Sequence, residues 1–243
     1  MIETKKHYDS HLAEHYQWML GDTSNESSFI KNLLESNEVF PKQNSVAIDL
    51  GAGTGLQSFV LAKMGYQVIA IDFCQYLLDE INHTKNNLSI TTICDDITNF
   101  RNHINQKVDL IVCCGDTLTH LKDRQTIQLL IENISTSLHN NGYAYLSFRD
   151  YSIELTENQR FIPVKYESSK LLTCFLEYLD DYVRVTDLIH YKTDNIWNLK
   201  TSSYKKVRIS TVDVVYFLEK NGLKLVNMTK NKGMVHLIAK LIN

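Results

Sequence analysis

Hydrophobic positions follow one pattern over the first 150 residues and another after them. In the first part, short apolar runs alternate with longer segments whose apolar residues recur at helical spacing. Short apolar runs predict strands and the helical spacing predicts helices. The predicted strands cover residues 45–50, 66–71, 88–94, 108–114 and 143–148, and the predicted helices between them cover 56–64, 75–81 and 123–138. This alternation predicts an α/β fold with a parallel, doubly wound sheet.

Two further helices are predicted at residues 1–20 and 28–34, ahead of the first strand. We expect this N-terminal part, residues 1–40, to lie over the edge of the sheet where the parallel strands end. The helix at 123–138 should end at Asn140-Asn141-Gly142, because glycine is favoured just after the last turn of a helix.

After Asp150 the pattern changes to β-rich runs separated by very short connections. These runs are residues 171–178, 183–191 and 196–207, and turn-forming residues such as Thr193-Asp194-Asn195 join them. Strands joined this closely must be antiparallel, because a parallel pair needs a long crossover. We expect residues 160–207 to form an antiparallel lid, inserted after the fifth strand. A structural or dimerising sheet is the alternative interpretation.

The chain returns to the first pattern near its end. Ser210 and Asp213 form a capping-box pattern that predicts a helix ending at Asn221-Gly222. Two runs follow, at 223–228 and 234–241, and their short connection predicts a hairpin. The whole chain, residues 1–243, is therefore expected to be one domain with a seven-stranded sheet whose last strand is antiparallel.

The most specific motif is VAIDLGAGTG at residues 46–55, where a predicted strand runs into three glycines at every second position. Gly51, Gly53 and Gly55 permit positive φ in a sharp turn, and they let backbone N–H groups approach a ligand without hindrance from a Cβ. A strand, a glycine-rich turn and a helix together predict a nucleotide-type cofactor site at the carboxyl edge of a parallel sheet.

Two acidic residues narrow the choice of cofactor. Asp72 ends the next strand, 21 residues after Gly51, where a carboxylate can accept hydrogen bonds from both hydroxyls of a ribose. The glycine spacing is G-x-G-x-G rather than the dinucleotide G-x-G-x-x-G, and Asp49 lies directly before the turn. A carboxylate there would repel a phosphate and suits a cofactor with a cationic amino-acid end. An NAD site and a turn without a ligand are the alternatives.

This stretch resembles motif I of the class I S-adenosylmethionine (SAM) methyltransferases, and Asp72 resembles their ribose-binding acid. The resemblance implies a seven-stranded, Rossmann-like methyltransferase sheet with SAM as cofactor. It implies an adenine contact from Asp96 or its neighbour Asp95, and a backbone contact and an apolar wall from Ile97. The end of the fourth strand should face the methionine half of the cofactor. The further residues predicted to contact the cofactor are Tyr16, Ala52, Phe73, Cys114 and Gly115.

Tyr16 and Tyr8 lie eight residues apart in the first predicted helix. An aromatic ring near a sulfonium can bind it through a cation–π contact. Packing of these rings on the core is the alternative interpretation.

The stretches GDTLTHL at 115–121 and FRDY at 148–151 resemble the small-molecule N-methyltransferases of the glycine/sarcosine type. Those enzymes carry G-N-S-F-x-H-L after strand four and H-R-N-Y after strand five. This chain departs from that pattern at Asp116 and Asp150, where it has Asp in place of Asn. The resemblance implies a SAM-dependent methyltransferase acting on a small-molecule acceptor, with nitrogen favoured. An O- or S-methyltransferase and a non-catalytic SAM-binding partner protein are the alternatives.

Three residues are predicted to act in catalysis. Asp116 could orient an amine and His120 could take its proton, since methyl transfer needs an unprotonated nucleophile. Helix capping by Asp116 and simple packing of His120 are the alternatives. Arg149 could bind a substrate carboxylate with its guanidinium fork, or it could form an ion pair with Asp150 or another acid of the lid. The residues of the lid that could line the pocket are His190, Trp197 and Tyr204.

Composition and charge argue against several other functions. A net charge of −3, without stripes of Lys and Arg, gives no reason to expect a nucleic-acid partner. The longest apolar runs are too short to span a membrane. Five cysteines without a C-x-x-C pair suit free thiols in a reducing cytosol, so we expect a cytoplasmic protein. His7, His11 and His15 have zinc-like spacing, but no nearby ligand completes a set, and no metal is predicted. The oligomeric state is left open.

Overall fold

The structure, a computed structural model, describes residues 12–242. The greater part of the first predicted helix, with Tyr8, His7 and His11, lies outside the described residues. The strands are β1 (Val46–Leu50), β2 (Gln67–Asp72), β3 (Ile90–Cys94), β4 (Val108–Cys113), β5 (Leu138–Phe148), β6 (Phe161–Glu167), β7 (Lys170–Tyr178), β8 (Tyr182–Thr193), β9 (Ile196–Val207), β10 (Leu223–Asn231) and β11 (Met234–Leu241). The α-helices are α1 (Ala13–Leu20), α2 (Ser24–Ser36), α3 (Leu56–Met64), α4 (Gln75–Thr84), α5 (Arg124–Ser137) and α6 (Thr211–Lys220).

Seven strands form the central sheet in the order β10-β11-β5-β4-β1-β2-β3. Strands β1 to β5 pair in parallel, whereas β11 lies antiparallel between β5 and β10. The predicted seven-stranded, doubly wound sheet with an antiparallel last strand is therefore confirmed. The carboxyl ends of β1, β2, β4 and β5 meet at one edge, where ligands bind in open α/β sheets.

The hydrophobic core lies on both faces of this sheet, because neighbouring residues of a strand point to opposite sides. Ile48 packs in a cluster with residues of α5 and α6, including Ile131 and Val214. Ala47, next along β1, packs in a second cluster with Leu34 of α2 and residues of α3 and α4. Because helices cover both faces of the sheet, a ligand can reach it only at its edge.

The connection between α5 and β5 differs from the prediction. Helix α5 ends at Ser137 and β5 begins directly at Leu138, five residues before the predicted start. Asn141, with φ of 65°, adopts the left-handed conformation, and Gly142 does not. A Cβ on Gly142 would lie 2.9 Å from the carbonyl oxygen of His139. The predicted glycine cap is therefore wrong, and Gly142 is required by a close backbone approach instead.

Strands β6 to β9 form a second, antiparallel sheet of four strands, which we call the lid sheet (residues 161–207). The sequence showed three of its strands, and β6 is the fourth. Asp194 and Asn195, with φ of 51° and 62°, form the tight turn between β8 and β9. On β9, Tyr204 and Lys206 are buried on the inner face, and the ring of Tyr204 stacks on His120 at 5.3 Å between centroids. This contact seats the lid sheet beside the carboxyl edge of the central sheet.

Candidate active site

The three glycines after β1 serve different purposes. A Cβ on Gly51 (φ 78°) would overlap the side chain of Thr117, and a Cβ on Gly55 (φ 90°) would lie 2.8 Å from a side-chain carbon of α4. A Cβ on Gly53 (φ 53°) would meet only the ring of Tyr16, at an ordinary 3.5 Å. Packing within the protein therefore requires Gly51 and Gly55, whereas Gly53 faces a cleft that Tyr16 of α1 covers.

Asp72, at the end of β2, joins the glycine turn after β1 to the turn that follows β2. Its Oδ2 accepts a hydrogen bond from the N–H of Gly53 at 2.8 Å, and its Oδ1 accepts one from the N–H of Cys74 at 2.9 Å. Burial raises the pKa of the carboxyl, and these hydrogen bonds oppose the rise. An ionised carboxylate has about four acceptor positions, so the group also has capacity for hydroxyl donors from the cleft. Burial and the charge of Asp72 raise the pKa of Tyr16 to about 12.

Asp49 lies behind the glycine turn, almost fully buried. Its Oδ2 accepts a hydrogen bond from the hydroxyl of Ser58 at 2.6 Å, while its Oδ1 has no hydrogen-bond partner among residues 12–242. Burial raises the pKa of the carboxyl to about 7 despite the contact with Ser58. A buried carboxylate oxygen without a donor is costly, which makes Asp49 a place where a cationic group would be stabilising.

The two acidic residues after β3 are both turned toward their own loop. Asp95 accepts hydrogen bonds from His103 at 2.7 Å and from Asn99 at 3.0 Å, and these contacts lower its pKa. Asp96 caps the following 3₁₀ turn, Ile97–His103, by accepting a hydrogen bond from the N–H of Thr98 at 2.9 Å.

The cleft at the carboxyl edge brings most of the predicted cofactor residues together. Those that line it are Tyr16, Gly51, Ala52, Gly53, Asp72, Phe73, Ile97, Cys114 and Gly115. Four others, Asp49, Gly55, Asp95 and Asp96, are adjacent in the chain but do not line it. Sequence reasoning missed Leu20, Thr54, Leu56, Gln57, Leu77, Thr117 and Leu121. Thr54 lies between two of the glycines, and Leu56 and Gln57 follow them directly, so proximity along the chain was a usable signal for these three.

A second cavity, of about 450 Å³, lies under the lid sheet and is bounded by α1, α2, β5 and β11. It shares Tyr16, Gly115 and His120 with the first cleft. A Cβ on Gly115 (φ 71°) would meet nothing within 4 Å, so the protein is open at this point. The two cavities therefore meet beside Gly115 and His120.

Asp116 is buried next to this junction and collects hydrogen bonds from three parts of the chain. Its carboxylate accepts from the backbone N–H of Arg149 at 3.0 Å, from the hydroxyl of Tyr151 at 3.0 Å and from the ammonium of Lys206. Burial alone would raise its pKa, but the charges of Lys206 and Arg149 hold it well below the usual range. The side chain forms no helix cap. We call these four residues the Asp116 cluster.

Lys206 is the residue of this cluster that sequence reasoning missed. It lies two positions after Tyr204 on β9, so strand alternation places both side chains on the same face. Only 8% of the Lys206 side chain is exposed. The signal available in the sequence was that Lys206 lies two residues after Tyr204, a candidate for the pocket, and so shares its face of the strand.

The other residues predicted to contact the acceptor differ in whether they line a cavity. His120 ends the 3₁₀ turn Thr117–His120 and lines both cavities. Arg149 lines the second cavity and pairs with Asp116 through Nη1 at 3.3 Å; the suggested partner Asp150 instead accepts from Thr211. Of the three residues named on the lid, Tyr204 lines the cavity, whereas Trp197 and His190 do not.

Between residues 12 and 242, no three His, Cys, Asp or Glu side chains are grouped to hold a metal ion. His15, the described member of the histidine series, contacts the ammonium of Lys170 at 2.9 Å. No helix of that same part of the chain has the length and apolar character to cross a membrane.

Comparison with known proteins gives results in sequence and in structure. Residues 47–142 match a family described as a methyltransferase domain. A glycine/sarcosine N-methyltransferase from Aphanothece halophytica is 23% identical over 190 residues, which are 74% of this chain and 69% of that protein. The region matched by the family, residues 47–142, contains the glycine turn, the acid that ends β2 and the end of β4.

Two solved structures share the fold over nearly the whole chain. A SAM-dependent methyltransferase from Clostridium acetobutylicum has a TM-score of 0.75 at 19% identity, covering 97% of this chain and 98% of that one. An amino pentose methyltransferase from Micromonospora echinaspora, solved with SAM bound, has a TM-score of 0.75 at 11% identity, covering 91% and 92%. At such identities the likeness is one of fold, and it extends to the lid sheet.

Proposed function

We propose that this chain, whose residues 47–142 match a methyltransferase domain, is a SAM-dependent methyltransferase that methylates an amine nitrogen of a small-molecule acceptor held under the lid sheet. The observation that carries this proposal is the meeting of two cavities at Gly115 and His120. One cavity has the features of a nucleoside site, and the other is a separate space for an acceptor. An imidazole at the junction lies where a proton must leave an amine.

The residues of the first cleft fit SAM. In the proposed arrangement Asp72 binds the ribose hydroxyls, while Phe73 and Ile97 form apolar walls for the base. The buried Oδ1 of Asp49, which accepts no hydrogen bond from the described residues, suits the ammonium of the amino-acid end. Asp96 is the better candidate for the adenine contact, because Asp95 is engaged with His103. When bound, SAM supplies an electrophilic methyl group on a positively charged sulfur.

The chain's own residues then position the acceptor and remove its proton. We assign His120 as the group that accepts a proton from the acceptor amine. Because the Asp116 carboxylate already accepts hydrogen bonds from Arg149, Tyr151 and Lys206, we assign Asp116 as a positioning residue that fixes Arg149 and Lys206. Arg149 has further N–H donors and lines the cavity, so it is placed to bind an oxygen of the acceptor.

A turnover screen with methyl-labelled SAM against amines, amino acids, phenols and thiols tests the proposal. We expect label in amines, with no transfer by a Gly53→Val variant that retains its circular-dichroism spectrum. Label in phenols or thiols alone would establish O- or S-methylation instead. SAM binding without any transfer would favour a non-catalytic SAM-binding protein. We expect nitrogen as the acceptor atom because the sequence relative from Aphanothece halophytica is an N-methyltransferase.

A further inference from the structure

We infer that the acceptor is an extended amine whose far end lies between α2 and β11, an inference that rests on the proposed function. The first reason is size. The cavity under the lid sheet has a volume of about 450 Å³, within the range of roughly 300–1,000 Å³ typical of pockets for drug-sized ligands. An acceptor the size of glycine would leave most of this space unfilled.

The second reason is the course of the cavity across the sheet. It begins at Gly115, whose N–H donates to the hydroxyl of Ser147 on β5 at 3.1 Å. Ser147 pairs in register with His236 on β11, and His236 also lines the cavity. Adjacent strands are about 4.8 Å apart, so two strand spacings carry the cavity roughly 10 Å from Gly115.

That distance sets the length of the acceptor. A chain in extended form advances about 3.8 Å for every three bonds, so roughly eight bonds are needed to span the cavity. The nitrogen of glycine is separated from its carboxylate oxygens by three bonds. An acceptor that contacts both ends must therefore be more than twice as long as glycine.

The third reason is the way the lining changes from one end to the other. The Asp116 cluster puts charge at the near end. Apolar side chains of the two helices also line the cavity, including Met19 of α1 and Ile30 of α2. At the far end the hydroxyl of Tyr145 is 2.8 Å from Nδ1 of His236.

The described ionisable side chains at the far end are either neutral or paired. Burial lowers the pKa of His236 and a hydrogen bond to the backbone of Asn231 opposes this, so the imidazole is neutral near pH 7. Glu26 and Lys232, which also line this end, pair with each other. The lining thus suits an amine with an apolar middle and an uncharged polar group at its far end.

The test uses amino alcohols, H₂N(CH₂)ₙOH with n of 2, 5 and 8, titrated calorimetrically into enzyme loaded with S-adenosylhomocysteine. We expect affinity to rise at least tenfold from n = 2 to n = 8, and octylamine to bind more weakly than the eight-carbon amino alcohol. Equal affinity across the series would overturn the inference. Because binding is read without turnover, length-dependent binding with no methylation would refute only the proposed N-methylation, and methylation without length dependence would refute only the inference.

A pair of variants locates the far end. Met234→Trp fills space at the cavity end of β11, while Met228→Trp makes the same change on β10, where 55% of the residue is exposed and it does not line the cavity. We expect Met234→Trp to weaken the eight-carbon ligand at least tenfold and to leave n = 2 and S-adenosylhomocysteine unchanged. Met228→Trp should leave all three unchanged. Equal weakening of both lengths by Met234→Trp, or no weakening, would contradict the proposed position.

Discussion

Two regions meet at the carboxyl edge of the central sheet and are built in different ways. The cofactor side is the cleft at the glycine turn, proposed to hold SAM, and the acceptor side is the cavity under the lid sheet, proposed to hold the acceptor. On the cofactor side, the glycine turn and Asp72 lie within 24 residues of one another, and the turn is held by backbone N–H groups. On the acceptor side, the Asp116 cluster joins residues up to 90 positions apart, with buried charges. The residues of the cofactor side can therefore be brought together by a short stretch of chain, whereas those of the acceptor side come together only after the lid sheet has docked.

The difference extends to energetics. Backbone N–H groups and glycine conformations cost little to keep, because the turn satisfies them as it forms. The Asp116 cluster contains a carboxylate and an ammonium that are both nearly excluded from water. Removing one partner of such a pair strands the other without compensation. Substitutions on the cofactor side should accordingly weaken ligand binding, whereas substitutions in the Asp116 cluster should lower the stability of the protein.

The largest effect is expected at the junction of the two sides. His120→Ala should lower kcat by about 10²–10⁴-fold, the usual contribution of general acid–base catalysis, and flatten the acidic limb of the pH profile. Affinity for SAM should remain near that of the wild type, measured by calorimetry. His139→Ala, at an exposed position, is the matched control. A His120→Ala enzyme with unchanged kcat and pH profile would reduce His120 to a packing residue under Tyr204.

The next largest effect tests the Asp116 cluster. Asp116→Ala should lower the free energy of unfolding by about 3–5 kcal/mol, because Lys206 is left buried without a counter-charge. The double variant Asp116→Ala/Lys206→Met should recover part of this loss in urea denaturation. A loss below about 1 kcal/mol would place the pair in the class of weak surface ion pairs.

The pH dependence of this effect has a defined sign. The pKa of Asp116 is lower in the folded protein than its ordinary value of 3.8. Its contribution to stability is therefore complete above that value and is lost as pH falls toward the folded pKa. The difference between wild type and Asp116→Ala should be constant from pH 5 to 8 and shrink below pH 4. A difference that grows on acidification would contradict the assignment.

The sequence predicted which residues of the cofactor side meet at one cleft, because their positions are set locally. The motif at residues 46–55 combines strand, turn and helix, and Asp72 ends the next strand, so their positions relative to each other follow from the parallel sheet. The side-chain directions did not follow. Asp95 and Asp96 could not be assigned from the sequence, because their hydrogen bonds to His103 and Thr98 are set by the 3₁₀ turn that follows them.

The acceptor side was predicted in part. GDTLTHL and FRDY pointed to Asp116, His120 and Arg149, but not to the partner of Asp116. That partner, Lys206, lies on the last strand of the lid sheet, and strand alternation places it on the same face as Tyr204 without showing which residue it meets there. Pairing across 90 residues is a property of tertiary packing, so it could be found only in the structure.

A smaller effect separates the glycines on the cofactor side. Gly53→Ala should keep the fold, at a cost of roughly 1–2 kcal/mol for a left-handed alanine, and should weaken SAM binding at least tenfold because its Cβ points into the cleft. Gly222→Ala, with φ of 76° and contacts no closer than 3.6 Å, is the matched control for backbone strain. Gly51→Ala should instead destabilise the protein, since its Cβ overlaps Thr117. Normal SAM binding by a folded Gly53→Ala variant would show that the turn is only structural.

The smallest effect concerns the proton on Asp49. In the free protein burial raises the pKa of this carboxyl to about 7, so near pH 6.5 most molecules hold the proton. A cationic ammonium beside the open oxygen would favour the ionised form and lower that pKa, so binding should release a proton. Calorimetry of SAM binding at pH 6.5, in two buffers of different ionisation enthalpy, should show release of most of one proton, and affinity should rise with pH through about 7. Asp49→Asn should remove both effects while preserving the contact with Ser58. Proton release that persists in Asp49→Asn would mean that another group titrates and that the ammonium lies elsewhere.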